Sequence, residues 1–325
     1  MSEPILEPDL PICDPHHHLW DQPDRGRYLL PELLADAGAG HKVLSTVFVE
    51  ALVFYRASGP AEMRVAGETE FVRGQAAMAA SGVYGPVLAC QGIVGFADLR
   101  LGAAVEAVLE EHIRAGGERF KGIRHAYAYV DDPGVRRSHA APPAGLLGLA
   151  SFREGFAKLG ALGLSFDAWG YHPQIPEVAS LADAFPAVPI VLDHVGGPVG
   201  IASYRDRRQE VFEGWRRDIR ELAKRPNVFV KLGGLGMPLC GFDLHKRAER
   251  PGSEELARLW RPYIETCIEA FGPERGMFES NFPVDRASCD YVELWNAFKR
   301  ITAGASASDK TLLYRDTARR FYRLE

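Results

Sequence analysis

Eight short apolar runs, each cut off by polar residues and each followed by a helical pattern, constrain this chain more than any other feature. They are Pro11–Asp14, Ser45–Glu50, Gln91–Ala97, Phe120–His125, Leu164–Trp169, Pro189–His194, Asn227–Lys231 and Gly276–Asn281. Their β-branched and aromatic content and their short length predict buried strands. Between them, helical spacing predicts helices over Glu68–Ser81, Ala103–Ala115, Ser151–Leu162, Glu177–Phe185, Gln209–Lys224 and Ser253–Phe271, with two more near Tyr291–Arg300 and Lys310–Leu324. Arg25 to Gly40 reads as a loop with one short helical turn. Alternating βα units imply a parallel sheet, and eight of them close a barrel. The fold expected is a single-domain (β/α)8 TIM barrel over residues 1–325, with long loop excursions at 53–67 and 126–145.

Composition narrows the partners. At 325 residues the chain is long for one domain but ordinary for an α/β barrel. Nearly half its residues are apolar and a quarter charged, so it can bury a large core unaided. A formal net charge of −5 argues against nucleic acid, whose phosphates need a basic face. Five cysteines with no CxxC spacing read as reduced, buried thiols of a cytoplasmic protein. The acidic, proline-broken start is no signal peptide, and no apolar stretch approaches the ~18–20 residues that span a bilayer. A small-molecule substrate is the partner expected; assembly into a homo-oligomer is compatible with the sequence but not required by it.

The polar strand ends carry the chemistry. Parallel barrel strands deliver their C-terminal ends to one rim, where barrel enzymes keep their active sites. Strand one runs into Asp14-Pro15-His16-His17-His18, and strand residues alternate between faces, so His16 and His18 share one side. Two imidazoles at that spacing suit one divalent metal, or one substrate and its water. Glu50, Arg124, His125, His172, His194, Asn281 and Asp285 lie at or just beyond other strand ends. Singly, each reads as easily as a hydrogen-bonded core residue or a rim ion pair. Convergence on one disc is what makes them a site.

Asp14-Pro15-His16-His17-His18, Gly122-Ile123-Arg124-His125, His172-Pro173-Gln174, Leu192-Asp193-His194-Val195-Gly196-Gly197-Pro198 and Ser280-Asn281-Phe282-Pro283-Val284-Asp285 together resemble the amidohydrolase superfamily. More narrowly they are similar to its amidohydrolase 2 branch of sugar and dicarboxylate lactonases, and the likeness runs from residue 14 to 285. The resemblance implies that His16 and His18 form the first histidine pair and that His172 and His194 are the next two. It implies at most one divalent ion, zinc or manganese on His16 and His18, or none. Lys121 and Lys231 are strand-borne, yet the pattern of a carbamylated-lysine, two-metal site is not evident.

The resemblance also implies a strand-eight aspartate that takes a proton from the attacking water, and here Asn281 holds that place. An amide cannot accept that proton. Glu50, Glu279 and Asp285 are the replacements to weigh, with Glu50 favoured and Glu279 set deeper. Arg124 would clamp a carboxylate, Trp169, Tyr171, Phe282 and Trp20 would form flat walls, and Gln174 would read a hydroxyl or carbonyl. Activated water opening a small carboxylated lactone or related cyclic ester is the expected reaction. Two alternatives stand beside it: non-oxidative decarboxylation of an aromatic or unsaturated acid, and a catalytically decayed barrel that only binds a small molecule.

Overall fold

The computed structural model describes residues 3–325. Eight strands form one sheet in sequential order, every neighbouring pair parallel. They are β1 Pro11–His17, β2 Lys42–Val49, β3 Leu88–Gly95, β4 Phe120–Arg124, β5 Ser165–Ala168, β6 Ile190–Leu192, β7 Val228–Leu232 and β8 Gly276–Phe278. The first and last strands meet through their extensions. Asn281 N donates to His16 O at 2.9 Å, and His18 N to Phe282 O at 2.8 Å. The result is the (β/α)8 barrel that the eight apolar runs predict.

Helices α1 Leu30–Ala37, α2 Ala66–Ala80, α3 Val105–Gly116, α4 Ala150–Ala161, α5 Ile175–Ala184, α6 Arg208–Leu222 and α7 Ser253–Phe271 separate successive strands, and α8 Tyr291–Ile301 follows β8. Helix α6 shows how they attach. Val211, Trp215, Ile219 and Leu222 recur at helical spacing and are buried, while arginines and glutamates fill the other faces. Trp215 also donates its indole N–H to Val195 O at 2.7 Å, tying the helix to the turn that leaves β6.

Two differences from the sequence reading concern the first connection. Residues 25–40 are more ordered than a loop with one turn. Trp20–Gln22 and Gly26–Tyr28 pair as an antiparallel hairpin, with Gly26 at φ 74° in its turn. Helix α1 then starts after Leu29, whose N–H donates to Glu32 Oε2 at 2.9 Å. Strand β1 also continues to His17, three residues past Asp14.

The barrel interior holds the second surprise. Its lower layer is apolar: Cys13, Val47, Val94, Val191 and Met277 pack against Ala318, Phe321, Tyr322 and Leu324, so the C-terminal segment plugs that end. The layer above is charged. Arg124, Asp167, Asp193, Lys231 and Glu279 are all buried, where branched apolar side chains are the rule.

Candidate active site

Alternation along β1 sends His16 and His18 one way and His17 the other. His17 turns to Thr46 Oγ1 at 2.8 Å in the outer layer. His16 Nε2 and His18 Nε2 converge to 3.3 Å. His18 gives its Nδ1 proton to Val49 O at 2.8 Å, which leaves Nε2 an acceptor. His194 leaves β6 in a turn of unusual backbone, with φ of 55° at His194 and 47° at Val195. Left-handed φ in a β-branched residue is a genuine outlier, and such strain gathers at functional sites. The ring of His194 lies 4.5 Å from that of His16, centre to centre.

Glu279 holds both rings from below. Its Oε1 lies 2.7 Å from His194 Nδ1 and 3.1 Å from His194 N. Its Oε2 lies 2.8 Å from His16 Nδ1. Lys231 Nζ is 3.0 Å from the same His16 nitrogen. One ring nitrogen cannot both give Glu279 a proton and take one from Lys231. The carboxylate is the nearer partner, and Lys231 has Asp167 Oδ2 at 2.6 Å and Asp193 Oδ1 at 3.1 Å for its protons. Burial raises the Glu279 carboxyl, but His194 and His16 outweigh it and hold it at about 2. Burial likewise lowers Lys231, and Asp167 and Asp193 outweigh it to keep the ammonium charged. Tyr322 reaches Asp167 Oδ2 from beneath at 2.7 Å.

Arg124 is not the free anion clamp that the sequence suggests. Its Nε donates to Glu50 Oε1 at 2.6 Å and its Nη2 to Glu50 O at 2.7 Å. Its Nη1 lies 3.3 Å from His16 Nε2. Glu50 in turn carries His139, from the 126–145 loop, at 3.0 and 3.2 Å. Burial pushes Glu50 up, yet Arg124 and His139 keep it below the ordinary carboxylate range. A carboxylate with both oxygens engaged and a lowered pKa is a poor base. Asp285 is no freer: its oxygens accept from Gly236 N at 2.9 Å and from the Asn281 amide at 2.8 Å, and burial raises it to about 7. Asn281 therefore turns its side chain to Asp285.

Above this floor opens a cavity of about 650 Å³, lined by His18, Trp20, Glu50, Arg124, His139, Trp169, Tyr171, Pro283 and Val284 among others. Arg25, Arg136 and Arg137 stand at its mouth, and none pairs with a carboxylate among the described residues. A larger groove, about 790 Å³, lies at the barrel's other end between Arg119, Lys121 and Arg323, and none of the site histidines lines it.

Four expected site residues lie elsewhere. His172 lines a separate cleft beside Tyr204, its Nδ1 accepting from Val199 N at 3.1 Å. His125 follows inward Arg124 and so points out, its Nδ1 taking Leu99 N at 3.2 Å and its ring against Phe96. Gln174 uses its amide on the backbone of Tyr127 and Tyr129, both at 2.9 Å. Phe282 is buried edge-on to Tyr291, and Pro283 and Val284 take its place as wall. Trp169 and Tyr171 do line the cavity. The sequence reading missed Asp167, Asp193, His139 and Tyr322. Asp167 and Asp193 were legible as acidic residues inside strands; a loop histidine and a C-terminal tyrosine carry no periodic signal.

A family model for amidohydrolases matches residues 13–324. The chain belongs to the amidohydrolase family. The amidohydrolase is 34% identical to an uncharacterized protein of Sinorhizobium fredii, over 97% of this chain and 99% of that one. It is 30% identical to an L-fucono-1,5-lactonase of Burkholderia multivorans, over 71% of each. A crystal structure of a Burkholderia multivorans amidohydrolase with bound zinc superposes with a TM-score of 0.72 at 26% identity, covering 97% of this chain and 99% of that one. No helix among the described residues is long and apolar enough to cross a membrane.

The zinc bound by that relative raises the question of whether the residues here fit one. The 3.3 Å between His16 Nε2 and His18 Nε2 suits two ligands of one tetrahedral ion. The hydrogen bonding around them does not suit it. Arg124 Nη1 stands 3.3 Å from the same His16 nitrogen. His16, Asp193 and His194 form a second grouping of ligand type, but Lys231 Nζ lies 3.0 and 3.1 Å from its first two members. With Arg124 on the His16 nitrogen that faces His18, and Glu50, Asp193 and Glu279 each held against a cation or a histidine, the residues present do not fit a divalent ion.

Proposed function

We propose that the amidohydrolase opens a small carboxylated lactone by attack of water at the floor of the barrel mouth, without a metal. The observation that carries this reading is the fixed orientation of His194. With Nδ1 turned down to Glu279, its Nε2 points away from the carboxylate and has no protein partner among the described residues. A water there gives its proton to His194 Nε2 as its oxygen attacks the lactone carbonyl. Arg124, locked by Glu50, supplies fixed positive charge for the developing oxyanion, and burial strengthens that interaction. Collapse breaks the bond to the ring oxygen, which takes the proton back from His194. The product is an open hydroxy acid.

The substrate's carboxylate belongs to Arg25, Arg136 and Arg137 at the mouth, which are free to pair where Arg124 is not. Trp20, Trp169 and Tyr171 give flat apolar walls to a small ring. The lactonase relative agrees with this reaction class at 30% identity.

The test is a panel of sugar-acid and dicarboxylate lactones set against aromatic acids, followed by proton release and carbon dioxide release. Lactone-dependent proton release with preference for carboxylated rings is the expected result. Carbon dioxide from the aromatic acids, or ligand binding without turnover of anything, overturns the reading.

A further inference from the structure

Glu279 is wholly buried beneath the histidines and does not line the 650 Å³ cavity. Yet it makes three contacts with two histidines of the site. One oxygen takes both the backbone N–H and the ring Nδ1 of His194, across the strained turn at φ 55°. The other faces His16 Nδ1. The chain also clears space for it. A Cβ at Gly233 would lie 2.5 Å from Glu279 Cγ, and one at Gly234 would lie 2.5 Å from the His194 ring. The next carboxylate along the segment, Asp285, is tied to Gly236 N and Asn281.

We infer that Glu279 is a positioning residue that sets the tautomers of His16 and His194 together, so that both rings present an unprotonated Nε2 on the side away from it. Two imidazole N–H groups need two acceptor oxygens in one plane, and a carboxylate supplies them where an amide has one. The backbone contact pins the strained turn in the same step, so ring orientation and proton position are fixed by one side chain. Catalytic use of the His194 lone pair rests on the lactonase reading above; the tautomer assignment does not.

Long-range proton–nitrogen spectra of histidine-15N-labelled protein report which ring nitrogen carries the proton. His16→Gln and His194→Gln each remove one set of signals and so assign them. In the wild-type chain both rings are expected with the proton on Nδ1. Either ring protonated on Nε2 overturns the inference, and no variant is needed for that outcome. In Glu279→Gln one acceptor remains, so one ring is expected to move its proton to Nε2. With any lactone the wild type opens, kcat then falls roughly 100-fold, within the usual range for losing a proton-transfer partner, while KM stays within about threefold. Glu279→Asp keeps two oxygens and is expected to recover part of that loss. Unchanged tautomers with unchanged kcat in a folded Glu279→Gln sink the inference. If the wild type opens no lactone, the activity reading fails alone and the spectra still decide this one.

Discussion

At the scale of single residues, the site separates histidines that look alike in the chain. His194 keeps its Nε2 on the side away from Glu279, without a protein partner among the described residues, whereas His172 Nδ1 accepts from Val199 N in another cleft. His194→Asn is therefore expected to lower kcat by roughly 10²–10⁴-fold with an unchanged circular dichroism spectrum. His172→Asn should stay within a few-fold of wild type. Steady-state rates on the best lactone check both, and equal losses in the two variants would dissolve the distinction. Arg124 and Lys231 bear on a second expectation. With His16 Nε2 facing Arg124 at 3.3 Å and its Nδ1 facing Glu279 and Lys231 at 2.8 and 3.0 Å, extended chelation should leave turnover within about twofold. Metal analysis of the purified chain should find well under one ion per molecule. Activity lost to chelator and regained with zinc would overturn the metal-free reading.

At the scale of elements, helix α2 carries a buried acid that makes stability depend on pH. Glu68 Oε1 accepts from Ala51 N at 2.9 Å and Val53 N at 3.0 Å, closing the loop that leaves β2, while Oε2 has no partner. Burial, with the nearby Glu50 charge, raises Glu68 to about 8. In the unfolded chain it titrates near the ordinary glutamate value, about 4.3. Between those values the unfolded chain loses its proton while the folded chain keeps it, so stability falls as pH rises through that window and levels off above it. Glu68→Gln keeps the accepting oxygen and removes the titration. Its melting temperature relative to wild type should rise from pH 5 to pH 8; a constant difference would show that Glu68 does not titrate there. The elements also show what the chain reveals unaided. Eight βα units are legible because strand and helix periods differ and each run is short and apolar. Helix α1 was hidden because eight residues are too few for a clear period and Pro31 suggests a turn. His16, His18 and His194 were legible from alternation and strand ends. His125 was misplaced although the same alternation puts it opposite Arg124. The pairing of Lys231 with Asp167 and Asp193 joins β7 to residues on and just beyond neighbouring strands, and no one-dimensional pattern marks it.

For the whole molecule, the barrel depends on both of its ends. The upper end is closed by loops that carry His139 and the mouth arginines. The lower end is closed by residues 318–324, with Phe321, Tyr322 and Leu324 buried against the strands. Burying three such side chains is worth about 5–9 kcal/mol in total, comparable to the entire stability of an ordinary domain. Removing residues 318–325 should therefore abolish cooperative thermal unfolding. Tyr322→Phe keeps the packing and loses one hydrogen bond to a carboxylate, for which about 1.5–3 kcal/mol is expected in urea titrations. A truncated chain that melts like wild type would show the plug to be dispensable.

Tyr322 has a bearing on biosynthesis. The phenol that reaches Asp167 under Lys231 leaves the ribosome after the three site histidines and the residues that hold them. A product stopped before residue 318 carries His16, His18 and His194 but lacks the floor on which their counter-ions rest. Such a product should go to the cell's proteases as an unfinished barrel rather than persist as a sluggish enzyme.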